Sequence, residues 1–230
     1  MESTNPLIHS IQFQSKIPGI LLGIFAVCLI TFSHFQKVEI SGKSKAFIAP
    51  PENIQHLAFG FNEVMADSLW IRAIQDFSYC EVEVAENVCQ GNSWLYKMLD
   101  SASNLSPKFR IIYASGGLAL TVVISDYEGA TKIFEKGVKE LPRDWPILYR
   151  AGYHYLYEVG DKKRAAELFK QAADNGAPGW LYSLAGRLYS DSGSIDVAEK
   201  ILEEMIKNEQ DPAFIERLRQ KIESMKKKTQ

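Results

Sequence analysis

Reactive side chains are scarce in this chain: it holds three cysteines and four histidines, and neither type clusters. His9 and His34 stand before or within an apolar run, while His56 and His154 are isolated, so no set at metal-ligand spacing forms. A phosphate-cradling loop is also missing. Gly116-Gly117 lies inside a helical stretch, and Gly193 lacks the following Lys-Ser/Thr that such a loop needs. No strand precedes Asp191-Ser192-Gly193-Ser194, which reads as a turn and not as a nucleophile elbow. The carboxylates are spread along helix faces without an evident acid–base pair. A formal net charge of −2 gives no support for general nucleic-acid binding. The expectation is a protein that is not an enzyme, with no catalytic residues, metal, cofactor or small-molecule substrate.

What the chain does have is self-similarity in its second half. Gly117, Ala130, Phe134, Gly137 and Pro142 return about 35 positions later as Gly152, Ala165, Phe169, Ala172 and Pro178. They return again as Gly186, Ala198, Leu202 and Pro212, with Met205 at the small-residue slot. A period of this size means stacked helical hairpins, because one hairpin cannot bury its apolar face alone. Gly152 in mid-helix calls for a packing reason, since it weakens a helix by roughly 1 kcal/mol; a missing side chain lets the second helix approach. Gly160-Asp161 and Gly193-Ser194 read as the turns inside two hairpins, and Pro142, Pro178 and Pro212 as the breaks between them. The first two units carry one extra residue between the small position and the alanine. An earlier half-unit spans Trp94–Pro107, with Leu99, Ala102 and Pro107 at the matching offsets.

This order of small, aromatic, alanine and proline positions resembles the tetratricopeptide repeat (TPR). The resemblance covers residues 108–212 as three units and implies an all-α, right-handed helical-hairpin solenoid. In that repeat the first helices line the binding surface at positions three before, one after, and four to five after the small residue. Carried onto the middle unit these are Tyr149, Tyr153, Leu156 and Tyr157; in the last unit they are Ser183, Arg187, Ser190 and Asp191, with Trp180 near the helix start. Tyr155 is expected to pack against the neighbouring hairpin, and Tyr153 either packs likewise or faces the groove. An aromatic groove edged by Arg187 suits an extended or helical peptide of a protein partner.

One long apolar run, Ile17–Phe35, follows a short arm of residues 1–16. At about 1.5 Å per residue it is barely long enough for a bilayer core. No A-x-A-like site follows it, and Val27 before Cys28 does not fit a lipoprotein signal. An uncleaved transmembrane anchor is therefore favoured, with a cleaved signal or a buried core helix as alternatives. Lys16 and the amino terminus oppose Lys37, Lys43 and Lys45, which leaves orientation open.

Residues 36–53 read as a polar linker stiffened by Pro50-Pro51. A helix is expected from Glu52 or Asn53 to about Phe77, opening an N-terminal helical region of residues 54–107. Its Ala66-Asp67-Ser68-Leu69-Trp70-Ile71-Arg72-Ala73-Ile74-Gln75 string resembles a run in a group of bacterial single-pass membrane-anchored TPR proteins. Trp94-Leu95-Tyr96 and Pro107-Lys108-Phe109-Arg110 share the likeness. It implies an envelope protein of Gram-negative-type bacteria and no reaction; together with a disulfide reading of Cys80 and Cys89 it favours an inner-membrane anchor with a periplasmic body. Asp67 and Arg72 read as a buried pair or as part of a recognition surface. Cys80 and Cys89 flank an acidic segment; they either close a disulfide, which needs an oxidising compartment, or stay reduced. Residues 213–230 form a basic helix with Phe214, Leu218, Ile222 and Met225 on one stripe. It caps the repeats, or touches anionic lipid or an acidic partner.

Overall fold

A computed structural model describes residues 21–29, 31, 49–51, 54–75 and 91–229. The chain forms two compact units, Met1–Ala46 and Phe47–Gln230. In the first, residues 21–29 are helical, with Leu21, Leu22, Ile24, Phe25, Val27 and Leu29 exposed. The rest of the run Ile17–Phe35, apart from Thr31, lies outside the described residues, as do the arm 1–16 and most of segment 36–53. Among the described residues no helix is long and apolar enough to cross a membrane. Cys80 and Cys89 also lie outside the described residues.

The second unit is all-helical among its described residues. A short 3₁₀ turn, Ile54–Leu57, precedes α1 (Asn62–Gln75), which pairs with α2 (Trp94–Leu105). Helix α3 runs through Ile112–Gly116, Gly117–Ala119 and Leu120–Ile124, and α4 is Tyr127–Glu140. Helix α5 is Trp145–His154 continued by Tyr155–Val159; α6 is Lys162–Asp174. Then come α7 (Trp180–Asp191), α8 (Ile195–Lys207) and α9 (Pro212–Thr229). From α3 on, each helix packs against the next, and several also touch the helix two places along.

The helix starts follow from local chemistry. Ser93, Asp126, Asp144 and Asp161 each accept a hydrogen bond from a backbone N–H of the first turn, satisfying a donor with no intrahelical partner. Asp126 does more. Fully buried, it accepts from the Gly91 N–H at 2.7 Å, from the Ser93 N–H and hydroxyl, and from the Gly129 N–H. One carboxylate thus ties the entry of α2 to the entry of α4.

The small residues act as their spacing requires. A Cβ on Gly117 would meet the Phe134 ring at 2.7 Å, and one on Gly152 would meet the Phe169 ring at 2.8 Å. In both hairpins the second helix rests its phenylalanine on the glycine of the first. The third unit differs: Gly186 receives Leu218 of α9 instead. Leu218 and Ile222 are buried, and α9 packs on both α7 and α8.

The extra residue of the first two units has a structural counterpart. Leu120–Ile124 and Tyr155–Val159 are π-helical turns at equivalent places, 35 residues apart, whereas α7 has no such turn. A π turn absorbs one inserted residue without breaking the helix.

Two expectations near the start need correction. The helix from Glu52 or Asn53 is broken, because Phe59 and Gly60 take left-handed conformations (φ 46° and 88°). Asp67 and Arg72 do not form a buried pair, since both are exposed. The Arg72 guanidinium lies over the Trp94 ring at 5.5 Å.

Candidate partner-binding groove

Helix α5 carries an aromatic line. Tyr153 and Tyr157, one turn apart, have ring centroids at 4.4 Å; Tyr149 lies 6.0 Å from Tyr153. The line continues to α7, where Trp180 meets Tyr149 edge-on at 6.1 Å. Tyr149 also rests on the Phe169 ring, at 5.9 Å, so it is fixed from below. Tyr153 and Tyr157 are open to solvent, at 49% and 61% exposure. Of the two readings of Tyr153, its place is thus on the open face. The Tyr157 hydroxyl beside it pushes the Tyr153 phenol upward from its ordinary pKa.

Next to this line is a cavity of about 300 Å³ between α3 and α5. Its walls are mostly apolar: Leu118 and Val122 from α3, Phe134 from beneath, and Tyr149 and Tyr153 from α5. Thr121 and His154 form its polar floor, while Arg150 and Glu158 also line it. Among the described residues no carboxylate pairs with Arg150.

His154 is 3% exposed and bridges two helices. Its Nδ1 lies 3.1 Å from the Thr121 hydroxyl and its Nε2 2.8 Å from the Thr131 hydroxyl. Those hydroxyls are also within hydrogen-bond distance of the Gly117 and Tyr127 carbonyls. Burial lowers the His154 pKa to about 4, against a smaller opposing pull from the Tyr127 carbonyl. The imidazole is neutral near pH 7, with one nitrogen donating to a threonine and the other accepting from one. Neither nitrogen is free to face the cavity.

Tyr155 points away from this face and is buried, as expected. Its hydroxyl donates to Glu135 at 2.7 Å, and the Arg164 guanidinium lies over its ring at 5.9 Å. Burial first, and then Glu135, pushes its phenol up to about 12.

The structure separates the expected groove positions into two kinds. Residues one and five after the small residue are the open ones: Leu118 and Val122, Tyr153 and Tyr157, half-buried Arg187 and exposed Asp191. Residues three before and four after are packing positions. Ala114, Thr121, Ser183 and Ser190 are buried, and Tyr149 and Leu156 are half-buried against the core. Ser183 donates to the Phe214 carbonyl of α9, and Ser190 to the Gly186 carbonyl. Leu156, Ser183 and Ser190 are therefore not open groove residues. On a helix the two sets lie on adjacent stripes, and the second stripe faces the next helix over.

Arg187 stays at the edge of this face. Burial, and then the like charge of Arg217, lower its pKa from the ordinary guanidinium value. Its Nε–H donates to the Ser183 carbonyl at 3.4 Å, and among the described residues no carboxylate pairs with it. Asp191 is tied to Lys221 at 2.5 Å. Leu118, Val122 and Arg150 were not among the expected residues. The offsets that mark Tyr153 and Tyr157 mark Leu118 and Val122 equally well when applied to the first unit.

Among the described residues no three His, Cys, Asp or Glu side chains are placed to hold a metal ion. No protein-family model matches this chain, and no curated protein matches it.

Proposed function

We propose that this chain is a membrane-tethered, TPR-like right-handed hairpin solenoid that captures a segment of a protein partner. The observation that carries this reading is the open aromatic line Tyr153–Tyr157, continued by Tyr149 and Trp180, beside a 300 Å³ apolar cavity. A cavity of that size accepts one bulky apolar side chain, and solvent-facing tyrosines beside Arg150, which pairs with no carboxylate among the described residues, match the composition of interaction hot spots. The recurrence of the glycine–phenylalanine contact in two hairpins, with α9 covering the third, supports the repeat reading. Ile17–Phe35 serves as the anchor, in a bacterial inner membrane with the helical body periplasmic. The role is that of an adaptor in assembly of envelope, secretion or pilus-type complexes.

The test places a photoreactive residue at Tyr153 of the full chain in intact membranes. One dominant protein adduct, lost on Tyr157→Ala or Leu118→Asp, is the expected result. Adducts to a second copy alone, or none, overturn capture at this face. The alternative, an obligate subunit of a larger complex, draws on the exposed apolar residues Val64, Ile71 and Ile74 of α1. Under that alternative the groove substitutions leave co-purification unchanged, whereas charges at Val64 and Ile71 abolish it.

A further inference from the structure

The turn that leads into α1 is built to hold three apolar side chains in solvent. Ile54 and Ala58 are buried and pin it, at 8% and 2% exposure. Between and after them Leu57, Phe59 and Phe61 project outward, at 56%, 83% and 66%. Two backbone hydrogen bonds close the turn: Ile54 N–H to the Pro51 carbonyl at 3.0 Å, and Phe61 N–H to the Ala58 carbonyl at 2.7 Å. Phe59 is held at φ 46°, a region a bulky residue rarely adopts, and Gly60 follows at φ 88°. This strained backbone aims an aromatic ring away from the core. Together the three side chains expose roughly 400 Å² of apolar surface on a single turn, as much as the largest patch of an ordinary soluble protein.

We infer that this turn is a wedge that dips into the interfacial layer of a lipid bilayer. The charge pattern selects lipid. Residues 54–62 contain no Asp, Glu, Lys or Arg, so insertion drags no charge with it. Glu63, in the first turn of α1, follows immediately and is exposed, which limits insertion to the turn itself. The chain path agrees. The turn is the first helical element after segment 36–53, whose Lys37, Lys43 and Lys45 suit anionic headgroups, and that segment follows the apolar run Ile17–Phe35. Small apolar wedges of this kind bind a bilayer weakly alone and gain strength from a second attachment on the same chain. The inference rests on the reading of Ile17–Phe35 as a membrane anchor. With both attachments the helical body is held against the bilayer, not left free on its linker.

The test uses the full chain in vesicles of phosphatidylethanolamine and phosphatidylglycerol, with a diazirine phenylalanine replacing Phe59, Phe61, Ile24 or exposed Lys200. Lipid adducts at positions 59 and 61 about tenfold above those at 200 are expected for interfacial side chains. Lipid adducts at 24 but not at 59 overturn the wedge and leave the anchor standing. No lipid adducts at either position overturn both. A protein adduct at 59 overturns the wedge in favour of a docking contact. The isosteric photoreactive residue preserves the fold, so a null result at 59 is informative.

Discussion

His154 gives the most direct test of the packing between the first two units. The folded protein binds a proton at His154 only near pH 4, whereas an unfolded histidine binds it near 6.5. Stability from this group is therefore complete above about pH 6.5 and declines as pH falls through the window from 6.5 to 4, because the unfolded state takes up the proton first. The full difference is worth about 3 kcal/mol, and the part lost between pH 7.5 and 5.0 about 2 kcal/mol. At 3% exposure the group has little solvent screening to reduce that figure. Carboxylates elsewhere also titrate as pH falls, so the comparison must be with a variant. His154→Gln cannot titrate and still reaches one threonine; its expected cost near neutrality is about 1 kcal/mol, for one lost hydrogen bond. Denaturant unfolding of the full chain in detergent, followed by helical circular dichroism, measures both proteins at the two pH values. The wild-type advantage should shrink and then reverse, by about 2 kcal/mol in total. Parallel pH dependences for the two proteins would refute the reasoning.

Three further outcomes follow from the packing. Gly152→Ala places a methyl group 2.8 Å from the Phe169 ring; overpacking of about 1–3 kcal/mol exceeds the roughly 1 kcal/mol gain in helix propensity, so the unfolding midpoint should fall. Asp126→Ala leaves the donors of Gly91, Ser93 and Gly129 without their buried acceptor and should cost about 3–5 kcal/mol, read from the same unfolding curves. Deleting Glu158 from the π turn of α5 gives the middle unit the spacing of the third, so the helical dichroism should persist.

The all-helical architecture was legible because the repeat's signals are steric and local. Gly152 and Phe169 meet because one has no side chain and the other fills the space, and that complementarity survives in the bare sequence. The Gly160 turn and the proline breaks are equally local. The break at Phe59-Gly60 was not legible, because the apolar spacing of Leu57, Phe61 and Val64 is helical. The conformation is set by burial of Ile54 and Ala58, a tertiary effect. Asp126 was missed for a similar reason: its donors Gly91 and Ser93 lie more than thirty residues away. The Asp67–Arg72 pairing failed because spacing on a helix does not say which face is buried.

The candidate groove was legible only in part, and the part that failed is instructive. The offsets taken from the repeat mix two stripes of one helix, and here the second stripe packs against the core, fully in α3 and α7 and by half in α5. The positions one and five after the small residue are the more open ones, with Arg187 half-buried, and they change character along the chain. In α3 they are Leu118 and Val122, in α5 Tyr153 and Tyr157, and in α7 Arg187 and Asp191. Helix α5 touches α3, and through Tyr149 it meets Trp180 at the start of α7. Asp191 is committed to Lys221, and Arg187 has no carboxylate partner among the described residues, so the charged end offers a cation. If this face captures a segment as proposed, a bulky apolar side chain suits the cavity beside Val122 and an acidic group suits Arg187.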